Sequence, residues 1–136
     1  MEITIQARVN ASLVKVWSAW TTPDDISKWN FASDDWCCPR ARIQLQPGGR
    51  FSYRMEAKDG SMGFDFEGEF KEVDFLKRIV LQLDDQRSVN VVFKETAEGV
   101  LVEETFQAES ENSVELQRQG WQAILDNFKA YVETEK

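Results

Sequence analysis

The sequence predicts an α+β fold, a curved antiparallel sheet wrapped around a long C-terminal helix, with two short helices after the first strand. Three patterns carry that expectation. Apolar and polar residues alternate with a period of two in the opening segment and again in a series of later segments separated by turn-forming residues. Apolar residues recur at three- and four-residue spacing directly after the opening segment, and they do so again over roughly residues 112–133. A sheet with one wet face must cover the other, and only the last segment is long enough to do it.

The first strand spans residues 2–10, where Ile3, Ile5, Ala7 and Val9 alternate with Glu2, Thr4, Gln6 and Arg8. Asn10-Ala11-Ser12 then offers N-cap candidates for a helix with Leu13, Val16, Trp17 and Trp20 on one face. Thr22-Pro23-Asp24-Asp25 opens a second short helix that runs to about Trp29, with Pro23 in its first turn. The polar stretch from Asn30 to Pro39 reads as a loop. About six strands follow. Pro47-Gly48-Gly49 separates a strand near 40–46 from one at 50–57, and Asp59-Gly60 separates that from the segment 63–75. Asp84-Asp85-Gln86 and Glu98-Gly99 mark the later turns. In the final helix Val114, Trp121, Leu125, Phe128 and Val132 form an apolar stripe that Ile124 and Tyr131 widen. Gly68 inside a strand and Gly120 inside a helix each suggest a close backbone approach or a kink.

Composition bounds the function. The chain has 136 residues, 42% hydrophobic, with 16 basic and 24 acidic side chains and a net charge of −8. One domain over residues 1–136 is expected, able to build a core without metal or disulfide support. No cluster of Lys and Arg offers the basic stripe that nucleic acid or an anionic membrane surface requires. No apolar run approaches the ~18 residues of a membrane span, and the alternating N-terminus is unlike a signal peptide, so a cytoplasmic location is expected. Histidine is absent, which removes the commonest general base and the commonest zinc ligand. Cys37 and Cys38 are adjacent and read as reduced thiols, because neighbouring cysteines reach disulfide geometry only with strain. No metal and no cofactor is expected.

Val16-Trp17, Trp29, Gly48-Gly49-Arg50-Phe51, Gly68 with Phe70, and Gly120-Trp121 with Leu125 follow one another in an order that resembles a known family. The element order is similar to the helix-grip fold of the START and birch-pollen-allergen (Bet v 1-like, SRPBCC) superfamily. The motifs resemble its branch named after the activator of the heat-shock protein 90 ATPase. Asp34-Asp35-Trp36, the stretch from Arg54 to Ser61, Gly63-Phe64-Asp65-Phe66-Glu67-Gly68 and the stretch from Gln119 to Phe128 are similar to a bacterial single-domain subgroup of that branch. That subgroup often carries a histidine after its Asp-Asp-Trp, where this chain has Cys37. The resemblance implies a cavity between sheet and C-terminal helix, used across the superfamily for lipids, hormones, flavonoid-like aromatics and polyketides. The cochaperone that names the branch has a further N-terminal domain, for which these residues have no room.

The expected partner is a hydrophobic or aromatic small molecule. Aromatic residues make up 12% of the chain, and Trp17, Trp20, Tyr53, Phe66, Phe93 and Trp121 fall on inward positions from which they can stack on a flat ligand, though each also suits a plain core role. Glu104 lies on a strand between Val102 and Phe106, on the apolar face. A charge there needs a partner, and Arg118, three residues before Trp121, is the first choice. Without one, Glu104 would hold a raised pKa and act as a general acid or base. The loop Asp34-Asp35-Trp36-Cys37-Cys38 is a further binding candidate, beside the plainer role in which Asp34 or Asp35 caps the local turn and Trp36 packs as a lid over the sheet; its spacing suits a metal poorly. A ligand-binding protein is favoured over a cyclase or isomerase using Glu104, and over a cochaperone-like module with a chaperone partner.

Overall fold

A computed structural model describes residues 1–134. The order is β1 (Glu2–Val9), α1 (Leu13–Thr21), α2 (Pro23–Trp29), β2 (Trp36–Ile43), β3 (Arg50–Ala57), β4 (Gly63–Asp74), β5 (Arg78–Leu83), β6 (Ser88–Thr96), β7 (Gly99–Gln107) and α3 (Val114–Thr134). The seven strands form one antiparallel sheet in the order β1-β7-β6-β5-β4-β3-β2. Strands β2 to β7 are a meander. The chain reaches the far edge from β1 through α1 and α2, and the sheet curls around α3 in a helix grip.

Local chemistry fixes the ends of the helices. Ser12 caps α1 by accepting from the Lys15 amide at 3.2 Å, and Pro23 opens α2 with Asp24 and Asp25 in its first turn, where the helix dipole favours them. Ser113 Oγ accepts from the Leu116 amide at the start of α3, and Glu109 accepts from the Asn112 amide just ahead of it. Leu125, Phe128 and Val132 are buried along α3. The Tyr131 hydroxyl donates to the Asp25 carboxylate, tying α3 to α2.

The edge strand β1 leaves alternate carbonyls without a strand partner, and α3 supplies the missing donors. Arg118 Nη1 reaches the Thr4 carbonyl at 3.1 Å, Gln122 Nε2 reaches that of Gln6 at 3.1 Å, and Lys129 Nζ reaches that of Arg8 at 2.8 Å. The helix thereby closes an edge that would otherwise be open to another strand.

Two expectations change. Residues 36–39 are not loop: β2 begins at Trp36, because Trp36 and Cys37 pair with Ala57 and Glu56 at the end of β3. A register shift between Cys37 and Arg40 follows, and it accommodates Pro39, which has no amide to give to a ladder. The strand then ends at Ile43 instead of running to 46.

The two unexpected glycines part company. A Cβ on Gly68 would sit 2.3 Å from the Gln82 carbonyl oxygen and 2.9 Å from the Phe51 ring, so this strand position is closed to any side chain. A Cβ on Gly120 meets nothing within 4 Å, and α3 runs through it unbroken. Gly68→Ala is therefore expected to destabilise by about 1–3 kcal/mol, whereas Gly120→Ala should stabilise by up to about 1 kcal/mol through helix propensity. Urea denaturation of the two variants beside the parent checks both signs.

Candidate functional site

Inward positions of the curled sheet and the inner face of α3 do not fill the space between them. They enclose a cavity of about 310 Å³, at the small end of the range that takes organic ligands. Its aromatic wall includes Trp20, Trp29, Phe51, Tyr53, Phe66 and Trp121. Trp121 forms the roof: its indole stacks on Phe106 with ring centres 3.9 Å apart and an interplanar angle of 9°. The Phe66 ring lies near-perpendicular to the indole, with ring centres 6.0 Å apart.

Alternation places Glu104 on this inner face. Its neighbours in the β7 sequence, Val102 and Phe106, are fully buried, and it lies opposite Val91 of β6 and Ile5 of β1 in the ladders. Glu104 is 8% exposed and lines the cavity. Its carboxyl has no hydrogen bond or ion pair among the described residues, and burial pushes it up to about 8. The expected pair with Arg118 does not form. Arg118 projects toward the β1 edge and spends its guanidinium on the Thr4 carbonyl, so it does not line the cavity.

The other polar groups on the wall are mostly committed. Gln117 Nε2 donates to the carbonyls of Glu109 and Asn112, at 3.1 and 2.9 Å, and its Oε1 accepts from the Glu109 amide at 2.9 Å. Arg87 Nε holds Asp85 at 2.8 Å. Asn30 Nδ2 donates to Met55 Sδ at 3.6 Å. The Tyr53 hydroxyl, like Glu104, has no protein partner among the described residues. Burial, with nearby Cys38 adding to it, raises the phenol's pKa and keeps it neutral.

Of the residues singled out from sequence, the structure brings Trp20, Tyr53, Phe66, Glu104 and Trp121 together around the cavity. It does not bring in the others. Trp17 and Phe93 pack against each other at 5.2 Å in the core beneath α1, because α1 lies directly on β6 there. Trp36 sits at the start of β2 with its ring 6.1 Å from Phe64, and it does not line the cavity. Cys37 and Cys38 are free thiols; burial raises the Cys38 pKa. Among the described residues no group of His, Cys, Asp and Glu converges to hold a metal.

Sequence reasoning missed Trp29, Asn30 and Gln117 as lining residues. Gln117 did leave a signal: it is a polar residue three positions after Val114 and four before Trp121, on the apolar stripe of α3.

Against known families, the model described as "Activator of Hsp90 ATPase homolog 1-like protein" matches residues 10–133. The chain belongs to the AHSA1-like family. Among curated proteins none matches it. The AHSA1-like protein of Aeromonas hydrophila, solved by solution NMR, is 47% identical and superposes with a TM-score of 0.93, covering 98% of this chain and 92% of that one. A Cytophaga hutchinsonii protein is 43% identical with a TM-score of 0.85, covering 97% and 92%. A Nitrosomonas europaea protein, NE0264, at 19% identity and a TM-score of 0.84 over 99% and 96% of the chains, shares the fold. The AHSA1-like family thus accounts for the helix grip; the chemistry of the cavity belongs to the side chains just described.

Proposed function

We propose that this AHSA1-like protein binds a small molecule with a hydrophobic or aromatic body in the cavity beneath α3, and that it does so in the cytoplasm. The observation that carries the reading is an aromatic-walled space of about 310 Å³ in which most polar wall groups are already satisfied. A cavity lined this way gains from an apolar occupant and loses little by excluding water. No helix among the described residues is long and apolar enough to cross a membrane.

Titration with a panel of flavonoid-like, fatty and polyketide compounds tests the reading through tryptophan fluorescence. Saturable quenching with micromolar affinity is expected, since a ligand of about twenty heavy atoms gains a few tenths of a kcal/mol per atom. Trp121→Ala and Tyr53→Ala should weaken binding by about tenfold, whereas Lys71→Ala, on the outer face, should leave it unchanged. Failure of the whole panel would discard the binding reading in favour of a cochaperone-like interaction module.

The unpartnered carboxyl of Glu104 supports a second reading, proton transfer to or from a bound substrate by a group that titrates near neutrality. On that reading Glu104→Gln abolishes turnover while quenching by the ligand persists.

A further inference from the structure

The wall of the cavity also bears on the charge of its occupant. Glu104 is more than nine-tenths buried, faces the open space and has no hydrogen-bonding or charged partner among the described residues. We infer that the ligand carries one protonated amine on its aromatic body, and that Glu104 receives it. This rests on the binding reading above and adds the chemical class of the ligand to it.

Three features point the same way. A carboxylate set in an apolar wall lacks the counter-charge that would stabilise it, and an ammonium group placed beside it supplies that charge where water screens the pair less than at the surface. The rings of Tyr53, Phe66 and Trp121 on the same wall make it aromatic, and an aromatic lining tolerates an organic cation better than an anion. Outside, a second, shallower depression shares Phe64, Phe66 and Arg87 with the cavity and adds the carboxylates of Asp65, Glu67, Asp84 and Asp85.

That depression follows from the sheet. The pairing of β4 with β5 begins only at Gly68 and Leu83, so residues 63–67 of β4 have no β5 ladder beside them. Several of its carboxylates are engaged: Asp84 with Arg50 at 2.8 Å, Asp65 with Arg40 and Arg54 at 3.5 Å, and Glu67 with the Ser52 hydroxyl at 2.9 Å. The chain as a whole still carries −8, a field that concentrates cations near the surface.

The other charged groups on the cavity wall are Arg87 and Glu109. The Arg87 guanidinium faces Asp85 and the Gln107 carbonyl, and the Glu109 carboxylate accepts from the backbone and side chain of Asn112. Neither supplies Glu104 with a counter-ion. With its carboxyl held up at about 8, the empty site is protonated at pH 7. An arriving ammonium displaces that proton to solvent and leaves an ion pair.

Three matched probes test the inference by isothermal titration calorimetry at pH 7: 2-(1-naphthyl)ethylamine, the corresponding naphthyl alcohol, and 3-(1-naphthyl)propionate. The amine should bind at least about tenfold more tightly than either of the others. Titration in phosphate and in Tris, whose ionisation enthalpies differ, should show close to one proton released per amine bound. Glu104→Gln should bring the amine down to the affinity of the alcohol and leave the alcohol unchanged. If Glu104→Gln fails to fold, the ranking of amine over alcohol and propionate on the parent protein still decides. Binding of the amine no tighter than that of the alcohol would overturn the amine inference while sparing the apolar site. No binding of any probe would overturn both.

Discussion

Glu104→Gln is expected to flatten the pH dependence of stability and to make the ligand-free protein markedly more stable at pH 8. The sign follows from proton affinity. Folding lifts the Glu104 carboxyl from an ordinary value of 4.5 to about 8. Below pH 4.5 the group is protonated in both states and contributes no slope. Between there and pH 8 the unfolded chain gives up its proton and the folded chain keeps it, so the folded state loses ground as pH rises. Above about pH 8 both states are ionised and the loss is complete. At roughly 1.4 kcal/mol for each pH unit crossed, the loss approaches 4–5 kcal/mol. Gln carries no such charge. Urea denaturation at pH 5, 6.5 and 8 should show parent and variant diverging as pH rises, with the variant gaining up to about 4 kcal/mol on the parent between the extremes. Parallel profiles would show that Glu104 is hydrated in the folded protein.

Phe128→Ala is expected to cost about 3–5 kcal/mol, the largest loss of any single truncation considered. Phe128 is 0% exposed, and its ring meets Trp20 and Trp29 near edge-on, with centroid distances of 4.9 and 4.8 Å. Removing it takes away one member of a three-ring cluster that joins α1, α2 and α3. The two indoles are held elsewhere, Trp29 by donation from its Nε1 to the Ala19 carbonyl at 3.0 Å, so the void cannot readily collapse. Because Trp20 and Trp29 also line the cavity, near-UV circular dichroism should change along with the urea midpoint. A loss below about 1.5 kcal/mol would mean that the helix does not depend on this contact.

The parts of the fold legible in the sequence are those where burial has a period. Ile3, Ile5, Ala7 and Val9 declared β1, and Trp121, Leu125 and Phe128 declared the face of α3, because one-sided burial writes itself into spacing. Glu104 was legible for the same reason, as an acid in an apolar register. Trp36-Cys37-Cys38-Pro39 has no such rhythm, so the start of β2 was set by pairing with β3 that no local pattern reveals. Arg118 failed differently. Its place near the apolar stripe suggested reach toward Glu104, but its partner is a backbone carbonyl 114 positions away. Trp17 and Phe93 show a further limit: alternation says which way a side chain points, not whether the space beyond it is empty. Their rings abut each other, whereas Tyr53 and Trp121 border open volume.

The helix-sealed β1 edge has a consequence for the time course of synthesis. Every strand partner of β1 lies in β7, from Val9 opposite Val100 to Glu2 opposite Gln107, and its outer carbonyls wait for Arg118, Gln122 and Lys129. A ribosome adding about 5–20 residues per second takes several seconds to make the intervening segment. Throughout that interval β1 has neither neighbour, while the meander from β2 to β6 can already form between consecutive hairpins. Completion of the grip is therefore a late, long-range closure, and the nascent domain is most open to wrong pairings before α3 leaves the tunnel.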